Sequence, residues 1–171
     1  MIIQGTPGSY SAQAAATWYP DETITSVRTF AEAAERIRAG ERGLLPIENS
    51  HTGPIDDCLR EIEGIPILET HWLRIEHCLI SHPGIELEEV QFVFSHKEAL
   101  RQCGGLLAEH EFQGIATADT ASAVADVKGR RKRTEAAIAS RAAAELHGMH
   151  VLLEDVADAP DNQTLFALLA K

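Results

Sequence analysis

At 171 residues the chain is long enough to bury a sound core, either as one domain or as two small lobes. Its formal net charge of −11 argues against nucleic acid as a partner, and 44% hydrophobic with 24% charged residues is ordinary for a globular protein. No apolar run reaches membrane-spanning length, and residues 1–5 lack the basic start and apolar core of a signal peptide. A cytoplasmic location and no membrane contact are expected.

Short apolar runs alternate with helical patterns along the chain. Residues 1–4 read as a strand, and the turn Gly5-Thr6-Pro7-Gly8-Ser9-Tyr10 leads into a helix over 11–19. Residues 24–27 are a second strand, after which Phe30, Ala33, Ala34 and Ile37 recur at helical spacing. Strand 44–47 and helix 55–62 form a third unit, followed by extended stretches at 65–68 and 75–81. Strand 90–95 precedes one helix over 97–110, strand 115–118 precedes helix 121–127, and strand 136–139 precedes helix 141–147, ended by Gly148. Residues 150–156 and 164–170 are terminal strands. Such repeated strand–helix units imply parallel, doubly wound α/β sheets. Two long extended passages suggest two crossings, with lobe one at 1–75 plus 157–171, lobe two at 76–156, and a ligand held in a central cleft.

Five segments carry candidate chemistry. Leu44-Leu45-Pro46-Ile47-Glu48-Asn49-Ser50-His51-Thr52-Gly53 is a buried strand end followed by five polar side chains and a helix start. That arrangement offers an anion the N–H groups of a helix N-terminus, or else is a capped turn. The turn at residues 5–11 has two glycines and serines able to cap, but neither the dinucleotide nor the P-loop glycine spacing. In Ser95-His96-Lys97-Glu98 one of the first two residues caps a helix, and Asp119 or Thr120 caps another. Asp161-Asn162-Gln163-Thr164 feeds the last strand. The eight histidines show no metal pattern, and Cys58, Cys78 and Cys103 suit reduced core thiols, so neither metal nor cofactor is expected. The basic run Lys128-Gly129-Arg130-Arg131-Lys132-Arg133 reads as a solvated loop.

Taken in order, Gly5-Thr6-Pro7-Gly8-Ser9-Tyr10-Ser11, Pro46-Ile47-Glu48-Asn49-Ser50 with Gly53, Ser95-His96 with Ala99-Leu100 and Gln102-Cys103, Ala136-Ala137-Ile138-Ala139-Ser140, and Asn162-Gln163-Thr164-Leu165-Phe166 resemble the signature blocks of the prephenate dehydratase catalytic domain. The resemblance spans the whole chain. It implies two α/β lobes like a type II periplasmic binding protein, a homodimer, and prephenate as substrate, converted to phenylpyruvate in phenylalanine biosynthesis. By the same resemblance Thr164, Asn49, Ser50 and Glu48 are the catalytic candidates. Gly8, Ser9, Tyr10, Ser11, Gly53, Ser95, His96, Gln102, Asn162 and Phe166 are the substrate-binding candidates. The chain departs from the family in two ways: Leu165 stands where Thr-Arg-Phe is usual, and it stops at Lys171 without the ACT regulatory domain, which leads to the expectation of a stand-alone domain. The competing readings are a prephenate decarboxylase-like enzyme and a non-catalytic binder of aromatic metabolites.

Overall fold

The computed structural model describes residues 1–171, and the chain divides into two compact units. The first comprises residues 1–6, 10–75 and 161–171, and the second residues 7–9 and 76–160. Residues 7–9 and 157–160, expected with lobe one, thus cluster with the second unit. Each unit is built on its own sheet.

In the first unit the strands are β1 (Ile2–Gln4), β2 (Thr25–Val27), β3 (Gly43–Asn49), the short β4 (Gly53–Pro54), β5 (Ile67–Arg74) and, at the chain's end, β11 (Gln163–Leu169). Their order is β2-β1-β3-β11-β5, with β4 pairing β3. Here the expectation of a wholly parallel sheet needs correcting. Strand β1 is parallel to β2 and β3, but β11 runs antiparallel to both β3 and β5. Strand β11 enters from the second unit rather than through a crossover helix, so the handed βαβ rule does not apply to it. Helices α1 (Tyr10–Trp18), α2 (Phe30–Arg38) and α3 (Asp56–Glu61) complete the unit. Side-chain alternation along β11 separates two cores. Phe166 and Leu168 pack with Ile3, Ala14 and Leu44, while Ala167 and Leu169 pack with Ile2, Ile37 and Leu45.

In the second unit the strands are β6 (Cys78–Ser81), β7 (Phe92–His96), β8 (Gln113–Thr117), β9 (Glu135–Ala139) and β10 (His150–Leu153), in the order β10-β6-β9-β7-β8. Strand β9 is buried at every position, because helices cover both faces of the sheet. Its pairing with β7 is parallel and with β6 antiparallel, so this sheet too is mixed. Helices α4 (Lys97–Gln102) and α5 (Gly104–Glu109) replace the single helix expected over 97–110. The break falls at Cys103-Gly104-Gly105, where the Asp158 carboxylate accepts the Gly105 N–H at 2.9 Å and would clash with a side chain at that position. Helix α6 (Thr120–Arg130) carries the first three residues of the basic run, and α7 (Arg141–His147) follows β9.

No helix is long and apolar enough to cross a membrane. The three cysteines are buried and unpaired.

Candidate functional site

The polar residues after β3 and before β11 are brought together within the first unit. Strand β3 carries one extra residue against β11: Leu165 faces Glu48, the next partner of Phe166 is Pro46, and Ile47 is the insertion. A bulge of this kind reverses the side-chain alternation beyond it. Without it, Asn49 would share a face with Leu45; with it, Asn49 lies directly opposite Thr164 and on the same face.

Asn49 organises the cluster. Its Nδ2 has three acceptors around it, Asn162 Oδ1 at 2.8 Å, the Gln163 carbonyl at 2.9 Å and Thr164 Oγ1 at 3.1 Å, so one of its two hydrogens is shared between two of them. Its Oδ1 accepts the backbone N–H groups of His51 and Thr52 at 3.0 and 3.1 Å, closing the turn. Both ends of the amide are therefore committed within the protein. Ser50 is committed likewise: its Oγ donates to the Asp161 carbonyl and accepts the Gln163 N–H at 2.9 Å. His51 reaches Asp161 at 3.0 Å.

Neither sequence interpretation of this turn holds. A short β3–β4 hairpin intervenes before α3, whose N-cap Ile55 makes no side-chain bond, so Asn49 and Ser50 neither cap that helix nor sit at its N-terminus. Gly53 has a left-handed φ of +80° and pairs with Asn49 in the hairpin, with open space where a side chain would project.

Thr164 is the chemically distinctive member. Its side chain is nearly buried, its oxygen accepts from Asn49, and no acceptor for its own proton lies within bonding distance. A hydroxyl offers one proton and two lone pairs, so the unspent function here is donation. Glu48 lies opposite Leu165, on the other face from Thr164. Asn162 is buried and holds Asn49 in place, while its carbonyl accepts the Ile75 N–H. Phe166, expected to touch substrate, is instead core: it is 1% exposed and packs edge-on against Trp18. Tyr10 and Ser11 open α1, with Tyr10 packed against the same core.

The remaining candidates belong to the second unit. Gly8 has φ +84°, and a Cβ there would meet the Ala143 backbone at 3.0 Å, so only glycine fits this close approach. The Gly8 carbonyl accepts from Ser140 Oγ at 2.7 Å, and that same oxygen caps α7 through the Ala143 N–H. Ser9 lies beside it in the turn. Ser95 is fully buried with its hydroxyl spent on the Ile138 carbonyl at 2.6 Å, which removes it from the binding set. His96 caps α4 with Nδ1. Gln102 bonds His77 at 3.0 Å, and burial pushes the His77 imidazole below its ordinary range, partly offset by that bond. No group of side chains that could hold a metal ion is present.

The family model for prephenate dehydratase matches residues 1–171. The chain belongs to the prephenate dehydratase family. Among relatives, it is 33% identical to a bifunctional N-acyl-homoserine lactone acylase/prephenate dehydratase of Komagataeibacter europaeus, over 100% of this chain and 62% of that protein. It is 36% identical to arogenate dehydratase/prephenate dehydratase 1 of Arabidopsis thaliana, over 99% and 44% respectively. The crystal structure of an Arthrobacter aurescens prephenate dehydratase in complex with L-Phe superposes with a TM-score of 0.90 at 27% identity, over 100% of this chain and 60% of that one. The chain thus spans about half the length of several of its relatives. Two of the blocks that resemble the family's flank the Asn49–Thr164 cluster, one after β3 and one before β11.

Proposed function

We propose that the chain catalyses the decarboxylating dehydration of prephenate to phenylpyruvate, a carbon–oxygen lyase step in phenylalanine biosynthesis. One observation carries the residue assignment: Thr164 holds an unspent hydroxyl proton in a nearly buried setting, oriented by Asn49. In the reaction the bond to the ring carboxylate breaks and carbon dioxide leaves. Its electron pair completes the aromatic ring, and the ring hydroxyl departs as water once it gains a proton. Aromatisation drives the step, so the protein's task is orientation and proton delivery.

Thr164 is the donor to the leaving oxygen in this proposal, with solvent restoring its proton. A threonine is a weak acid, but an N–H bond into its oxygen polarises the O–H and makes it a better donor. Asn49, Ser50 and Asn162 hold the donor in place. Glu48, on the opposite face, supports the strand pair and does not meet the substrate. The reading extends to a homodimer and a cytoplasmic location. The eight-residue edge strand β5, with Ile67, Leu68 and Trp72 exposed, supports the first, and three buried unpaired thiols suit a reducing compartment.

Incubation with prephenate, with product identified by ultraviolet absorbance and mass, tests the activity. Phenylpyruvate is expected, at a higher rate than any product from arogenate, the substrate named for several plant relatives. A decarboxylated product that keeps its hydroxyl would replace this reading with the decarboxylase one. Thermal stabilisation by prephenate without turnover would replace it with a binder.

A further inference from the structure

The second unit holds a cavity of about 470 Å³ where α6 and α7 both end, lined in part by His82, Lys128, Gly129, Arg131, His147 and Gly148. No acidic side chain lines it, in a chain whose net charge is −11; Asp126 and Glu145, exposed on the same two helices, are not among its walls.

The basic run divides sharply around this cavity. Arg130 and Lys132 turn to the buried carboxylate of Glu135, the latter at 3.2 Å, and Arg133 grips Glu89 at 2.6 Å. Lys128 and Arg131, the two that line the cavity, pair with no carboxylate. Cations near a helix C-terminus complement its dipole, which accounts for basic residues there in general but not for this division. A second feature points the same way. Both helices end on a left-handed residue; α7 uses Gly148 at φ +62°, whereas α6 places Arg131 at φ +54°. A side chain is disfavoured in that conformation, and glycine is the usual solution. The arginine at this position is one of the residues that line the cavity. The His82 ring, donating from Nε2 to the Val127 carbonyl at 3.1 Å, fixes a second wall.

We propose that this cavity binds a small, multiply charged oxyanion, a phosphate or a compound with paired carboxylates, through Lys128 and Arg131. Arginine's planar fork suits bidentate contact with either chemistry, and lysine adds a point charge.

The test is an amide NMR titration of the full chain with inorganic phosphate and, separately, succinate, against sodium chloride at matched ionic strength. Saturable shifts at Gly129 and Gly148 are expected, and the tighter of the two anions identifies the source of the charge. Lys128→Ala and Arg131→Gly should each weaken binding by about tenfold or more. Arg131→Gly should do so while keeping or raising the melting temperature, because glycine relieves the left-handed strain. That pairing separates lost binding from lost structure. Shifts that merely follow ionic strength, as chloride does, would overturn the proposal. So would saturation that survives both substitutions.

Discussion

The two units build their polar ends in different ways. In the first, Asn49, Ser50 and His51 are joined to Asp161, Asn162, Gln163 and Thr164 across more than a hundred residues of sequence. In the second, the side chains at three helix starts are spent on a backbone N–H two or three residues away: His96 on the Glu98 N–H, Asp119 on the Ser122 N–H and Ser140 on the Ala143 N–H. A local cap satisfies a backbone group and contributes about 1 kcal/mol to its helix. A cross-strand cluster does something else. It fixes one hydroxyl with respect to two strands and leaves that hydroxyl's proton available. The first arrangement builds a chemical group, the second a frame.

If that contrast is right, the largest effects belong to the first unit. Thr164→Val should preserve shape and cut kcat by about 10²–10⁴-fold with little change in KM, the usual size of a proton-transfer contribution. Asn49→Ala should lower kcat comparably, because it acts by orienting the same hydroxyl. The double variant should be no worse than the poorer single one, since the two residues form one unit. Additive losses would mean that Asn49 meets the substrate on its own account.

The second unit should answer instead in stability. Gly8→Ala forces a side chain into a left-handed residue and to within 3.0 Å of the Ala143 backbone. A loss of about 1–3 kcal/mol is expected in denaturant unfolding. An unchanged midpoint would show that the turn moves freely away from α7.

Titration separates the units as well. Burial lowers the His77 pKa, so the unfolded chain binds this proton more readily than the folded one. The stability linked to His77 is therefore complete above about pH 6.5 and lost as pH falls below it. Burial raises the thiols of Cys58 and Cys103 to about 12, and their contribution runs the other way. It is complete below an unfolded thiol's pKa of about 8.5 and declines as pH rises from there toward 12. His77 lies in the second unit, whereas each unit holds one of these two thiols. Melting temperatures from pH 7 to 5 should fall less steeply in His77→Gln than in the native protein; parallel curves would contradict the assignment.

What the sequence disclosed follows the same division. The caps of α4 and α6 were legible to within one residue, as Ser95 or His96 and Asp119 or Thr120, and the glycine ending α7 outright, because donor and acceptor lie within a few residues. The break between α4 and α5 was not, since the carboxylate that stabilises it belongs to Asp158, more than fifty residues away. The direction of β11 was hidden too: an apolar run reads alike in parallel and antiparallel ladders. Thr164 and Asn49 were both candidates, but their contact depends on a bulge at Ile47 that no local pattern announces. The family blocks also drew in Phe166 and Ser95, whose surroundings make them core and strand support.

The smallest effect is expected at Leu165, where the family usually carries arginine. Register places it opposite Glu48 on one side and Trp72 on the other, on the face turned away from Thr164. It is partly exposed and belongs to none of the four core clusters. An arginine there is neither a buried unpaired charge nor a clamp at the Thr164 hydroxyl. It gains Glu48 as a partner across the strand pair, a partly exposed contact contributing at most about 1 kcal/mol. Leu165→Arg should therefore fold, with a melting temperature within a few degrees of the native value and kcat/KM within about threefold. Failure to fold would mean that Leu165 is packed more tightly than its exposure indicates. A tenfold gain in turnover would mean that this face also reaches the substrate, and the division between a chemical face and a supporting face of β11 would have to be abandoned.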